Sequence, residues 1–221
     1  MFPAVMIHFF KALATALTGL LIAAGSVSAH PHVWVTMKSA VVYGPDGAIT
    51  GVRHSWSFDD MYSAFATQGL EQKKKGEFTL EELQPLAKVN IESLKEYDFF
   101  TYAKASGEDV TFVDPVEYGL EFDPKDTVLT LHFTLPLKTP LKVKTLNLEV
   151  FDPSYFVDFA LAEKDPVSLD KAPAGCEIGV AKPQEMTKEM AQKLAEIPPD
   201  GKIPDNSYGA AFSNKISVKC P

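Results

Sequence analysis

Two cysteines and five histidines in 221 residues leave few candidates for thiol or metal chemistry. Neither Cys176 nor Cys220 has a near partner of the CxxC kind, so neither a redox dithiol nor a zinc cluster is indicated. An even pair in the C-terminal quarter reads, in an oxidising compartment, most simply as one disulfide. It would close a loop of about 45 residues and contribute about 4 kcal/mol in the chain-entropy view. GxSxG, Walker, HExxH and dinucleotide fingerprints are all missing, and no pair of carboxylates is catalytic by spacing alone. Positive charge is also in short supply. Twenty-nine acids against 21 bases give a net charge of −8, which excludes nucleic acid and anionic membrane as natural partners and is compatible with cations. After the first 29 residues no apolar run is long enough to span a bilayer.

Those first residues are the exception. Lys11 is their only charge, "ALATALTGLLIAA" (12–24) is an apolar run, and "VSA" (27–29) offers the small residues that signal peptidase requires. The expectation is a cleavable export signal over residues 1–29, cut after Ala29, with a soluble mature chain behind it. An uncleaved anchor is the alternative.

"VWVTMKSAVVY" and "AITGVRHSWSF" flank the turn "GPDG" (44–47) and predict a β-hairpin. Alternation puts Val33, Val35 and Met37 on one face and His30, His32, Trp34 and Thr36 on the other. A helical insertion follows over 59–97. Asp59 or Asp60 would cap its first helix, with Met61 and Phe65 at a core-facing spacing. Thr79 and Glu82 form a capping box for the second helix, in which Pro85 should make a kink or a break. From Asp98 on, short runs separated by "SGED", "DPKD", "KTP" and "DPS" read as strands. In "TVLTLHFTL", Leu129, Leu131, Phe133 and Leu135 point inward, with His132 on the polar face. Met186, Met190, Leu194 and Ile197 mark one more amphipathic helix. The predicted class is α+β: a mainly antiparallel β meander or sandwich over 30–165, with a helix-loop-helix insertion and a disulfide-stapled C-terminal extension (166–221) packed on the core.

The densest chemistry lies at the cut site. Cleavage after Ala29 gives His30 a free amine beside its imidazole, and the two can chelate nickel, cobalt, zinc or copper, with His32 adding a third nitrogen. Pro31 has no N–H to lose, so the amino-terminal mode that uses deprotonated backbone amides is excluded. Asp59 is the candidate carboxylate ligand, although helix capping explains it equally. His54, in line with Trp56 and Phe58, reads as a packed, hydrogen-bonded histidine, and His132 as solvent-facing. "EQKKKGEFTLEE" (71–82) matches an EF-hand loop in Gly76, Phe78 and Glu82. Lys73 and Lys75 stand where oxygen ligands belong, so calcium is not expected.

"AHPHVWV", "WSFDDMYSAF", "LKEYDFFTY", "LHFTLPLKTP" and "VFDPSYFVDFAL" resemble, in this order, the proteins catalogued as domain of unknown function 1007. The resemblance implies a periplasmic protein, a component of an uncharacterised ABC-type transport system, often found beside transition-metal transporters. It maps the family's histidine pair onto His30 and His32, its "FD" onto Phe58 and Asp59, and its "DP-x-Y" onto Asp152, Pro153 and Tyr155. No enzymatic activity is implied. The expected function is a periplasmic metal-binding accessory whose partner is an inner-membrane metal transporter or another periplasmic protein. One alternative is a copper oxidoreductase with a histidine brace, for which His54 or His132 would supply the second histidine. Another is a metal-independent interaction module.

Overall fold

The computed structural model describes residues 31–195 and 207–221. The expected export signal, its expected cleavage point and His30 therefore lie outside the described residues. The chain divides into two compact units, His30–Glu185 with Lys202–Pro221, and Met1–Ala29 with Met186–Gly201.

In the first unit the hairpin forms as its alternation dictates. β1 (Val33–Tyr43) and β2 (Ile49–Phe58) pair antiparallel, with Val35 opposite Phe58 and Val41 opposite Val52. Gly47, at φ 76°, takes the left-handed turn position, and the Asp46 carboxylate accepts the Ala48 N–H. α1 (Asp60–Thr67) and α2 (Leu80–Leu94) follow, joined to the next strand by a short 3₁₀ segment (Lys95–Phe100). The remaining strands are β3 (Thr101–Ala105), β4 (Glu108–Asp109), β5 (Val116–Asp123), β6 (Val128–Leu141), β7 (Thr145–Val150), β8 (Val157–Leu161), β9 (Val167–Asp170), β10 (Glu177–Ala181) and β11 (Asn214–Lys219).

They assemble into two sheets, in the orders β5-β6-β2-β1-β8, with β9 also on β1, and β10-β11-β7-β3-β4. Most pairings are antiparallel, but β8 and β9 both run parallel to β1. The fold is thus α+β and mainly antiparallel. The first sheet's inner face is covered twice. At one end Val41, Ile49 and Val52 pack with Leu146, Leu148 and Ile216 of the second sheet. At the other, Leu83, Ala87 and Ile91 of α2 pack on Val35, Met37, Leu131 and Phe133. Spacing of four along α2 makes that stripe, and each large side chain so buried contributes about 1.5–3 kcal/mol. A disulfide joins Cys176 to Cys220 and so closes the tail on itself across β10 and β11. β11 lies inside the second sheet, between β10 and β7.

One sequence expectation fails and another is narrowed. Met61 and Phe65 do not face the core; they are 64% and 74% exposed. α1 instead turns Tyr62, Ser63 and Ala66 inward. Ser63 is fully buried, and its hydroxyl accepts the Leu129 N–H at 3.0 Å, so the helix lies too close to β6 for a large side chain. Pro85 does not end α2, which runs through it with the proline on the exposed side. The capping box of Thr79 and Glu82 is present as expected.

In the second unit, α3 (Lys188–Ala195) carries Met190, with Met186 just before it. Ile197 lies outside the described residues. A last short helix, α4 (Ser207–Ala211), belongs to the first unit.

Candidate functional site

The start of β1 brings together most of the singled-out residues. His32 precedes the strand on its exposed face, with its N–H donating to the Phe156 carbonyl at 2.8 Å and its ring stacked on Phe156 at 4.7 Å. Asp59 sits across from Trp34. Its Oδ2 accepts the Trp34 N–H at 2.9 Å, and its Oδ1 accepts the Tyr62 N–H at 2.8 Å. The carboxylate therefore caps α1 and also pins the first residues of β1. Each oxygen keeps a second lone pair. Among the described residues no group of three histidine, cysteine or carboxylate side chains is close enough to hold a metal ion. A site at His32 and Asp59 would need His30 as well.

The other histidines are occupied elsewhere. His54 is 1% exposed, and burial holds its pKa down at about 3. Its Nδ1 lies 2.9 Å from the Ser39 hydroxyl and its Nε2 3.3 Å from the Thr101 hydroxyl. The Thr101 hydroxyl donates its proton to the Phe99 carbonyl at 2.7 Å, so its oxygen must accept from Nε2–H while Ser39 donates to Nδ1. The ring is neutral, with both nitrogens used. His132 pairs through β2 with the Lys38 row of β1, about 20 Å along the strand from His32. Its Nε2 lies 3.3 Å from a Glu121 oxygen, unaligned for a hydrogen bond.

The loop 71–82 keeps the calcium-loop outline, with Gly76 at φ 81°. Glu82, at the position of the bidentate ligand, accepts N–H bonds from Thr79 and Lys73 instead, and these hold its carboxyl below the usual range. Lys74 is paired with Glu77.

Behind the strand, on the inward side, lies a cavity of about 390 Å³. Val33 and Val35 of β1 and Trp56 and Phe58 of β2 form one wall. Tyr62, Asn90 and Leu94 come from the helices, with the Tyr62 hydroxyl donating to Asn90 Oδ1 at 3.1 Å. Burial, and then the Asp59 charge, raise the Tyr62 pKa, so the phenol stays protonated. Phe100 enters through a left-handed run: Asp98, Phe99 and Phe100 have φ of 51°, 52° and 47°, a costly conformation for residues with a Cβ. That turn buries two consecutive aromatic rings, Phe99 and Phe100. The last wall is the segment before and within β8, with Phe156 and Phe159. There Asp152, 4% exposed, accepts the Ser154 N–H and hydroxyl at 2.8 Å and the Val157 N–H at 3.0 Å. α4 braces this loop, since a Cβ on Gly209 would overlap the Asp152 carbonyl oxygen.

The sequence reading missed this cavity. Its signal was the density of aromatics in three of the stretches that carry the family resemblance, all of which contribute to the lining. No alternation rule could say that they converge.

The chain belongs to the family described as "Protein of unknown function (DUF1007)", whose profile matches residues 15–220. It is similar to an uncharacterized protein of Haemophilus influenzae, 26% identical over 208 residues, covering 92% of this chain and 97% of that one. It is also similar to an uncharacterized 15.5 kDa protein, in the trpE 3' region, of Spirochaeta aurantia. That likeness is 28% over 101 residues, 45% of this chain and 71% of the relative.

Proposed function

We propose that this chain is an exported, periplasmic accessory protein that takes up a divalent transition metal (nickel, cobalt, zinc or copper) as cargo and passes it to a transport system of the ABC type. The observation that carries the reading is the position of His32. It stands on the exposed face where β1 begins, two residues after the expected mature terminus and two before the residue tethered by Asp59. The ligands are the amine and imidazole of His30 and the imidazole of His32, with Asp59 as a neighbouring carboxylate. Such a terminal site on a strand end is open, which suits a carrier that must release its metal. The test is the intact mass of the exported protein followed by titration with each metal. A chain beginning at His30 that binds one metal ion, and His30→Ala and His32→Ala variants that do not, are expected. A different terminus, or equal binding by His30→Ala, would sink the proposal.

The copper oxidoreductase reading needs a second histidine, and His54 is buried with both nitrogens engaged while His132 lies far along the sheet. The metal-independent interaction module is favoured by one observation, the exposed Met61 and Phe65 on α1. It predicts a melting temperature indifferent to every metal.

A further inference from the structure

The cavity behind β1 has a composition that selects by charge. Seven of its fifteen lining residues are aromatic, among them Trp56, Phe58, Tyr62 and Phe100, with Tyr97 and Phe156 at the exposed rim. Asp152 is the one charged residue of the lining, and no lysine, arginine or histidine contributes. The Trp56 side chain is almost wholly buried in the wall, and among the described residues its N–H has no hydrogen-bond partner. Aromatic faces carry negative quadrupoles, and the Asp152 carboxylate, held in place by three N–H or O–H donors, is the acidic group of the lining. An anion entering here would meet no counter-charge. A metal ion would find too few ligands and too much apolar wall. A cavity of about 390 Å³ is also within the usual size range for small-molecule sites.

We infer that this cavity is a binding site for a small organic cation, an alkylammonium compound with an apolar body, held by the aromatic faces and the Asp152 charge. Val33 and Val35 of β1 line it, whereas His32 and Trp34 lie on the strand's other, exposed face. The inference is therefore independent of the metal reading. Phe156 is the shared element, lining the cavity and stacking on the His32 ring.

The test uses three probes of one shape on the chelator-treated protein: choline, its neutral isostere 3,3-dimethylbutan-1-ol, and the anion 3,3-dimethylbutyrate. Binding is read by calorimetry and by Trp56 fluorescence in a Trp34→Phe background. Choline is expected to bind at least about tenfold more tightly than the alcohol, and the anion most weakly. Tyr97→Leu and Phe156→Leu each remove an exposed aromatic face while keeping an apolar side chain, so the fold is retained; each should weaken choline about threefold to fivefold. The same order must hold in His30→Ala, where the metal proposal is tested separately. Equal binding of choline and the alcohol, tighter binding of the anion, or no choline binding at tens of millimolar would each overturn the inference.

Discussion

Asp59 and Trp34 are bonded in both directions across 25 residues of chain: the Trp34 N–H donates to Asp59 Oδ2 and the Asp59 N–H donates to the Trp34 carbonyl, each at 2.9 Å. One side chain thus closes the end of the hairpin and starts α1. Asp59→Ala is expected to cost about 1–3 kcal/mol, from the lost cap and the unpaired Trp34 N–H. Urea unfolding measures it. If the variant lost metal affinity but no stability, the tether would not be what holds this end together.

His54 makes stability depend on pH. Burial lowers its folded pKa from 6.5 to about 3, so between those values the unfolded chain binds one more proton than the folded one. Its share of the stability is complete above pH 6.5 and is lost as pH falls toward 3, with a slope of up to about 1.4 kcal/mol per pH unit. His54→Gln, which keeps a donor and an acceptor, should flatten the curve by one proton between pH 4 and 6. Parallel curves for the two proteins would show that the ring is not buried neutral.

Gly209 is required by contact and not by backbone conformation. Gly209→Ala drives a methyl into the Asp152 carbonyl, which should cost about 2–4 kcal/mol and loosen the loop that closes the cavity. Denaturation and hydrogen exchange at residues 152–157 would report it; unchanged exchange would mean α4 does not brace that loop.

The disulfide closes a long stretch of the chain. The paired substitution of Cys176 and Cys220 by alanine is expected to lower stability by about 4 kcal/mol, through the larger entropy of the unfolded chain. Reducing agent should do the same to the native protein and nothing to the variant.

Metal binding, if it is confined to the folded mature terminus, should raise stability by about 2.7 kcal/mol at a metal concentration one hundred times the dissociation constant. The rise should vanish in both His30→Ala and His32→Ala. Calorimetric melting with and without each metal distinguishes this from an interaction module, which shows no rise.

Much of the architecture follows from local pattern. Alternation places Leu129, Leu131, Phe133 and Leu135 inward, the GPDG turn makes the first hairpin, and Asp59 and Thr79 begin the two helices, because each of these depends on residues within a few positions of one another. Local pattern misled where packing distance decided. Met61 and Phe65 have the right spacing to be buried, but Ser63 and the Leu129 N–H pull α1 against the sheet by its other side.

The sequence by itself determined the class of the fold, the disulfide partners and the poverty of histidine and cysteine, since composition and short-range spacing suffice for these. Only the tertiary structure decided that β8 returns parallel to β1, that Asp59 reaches the Trp34 N–H, and that three aromatic stretches close around one cavity with a single carboxylate. Each of these depends on residues far apart in the chain, and a contact of that kind has no period to read.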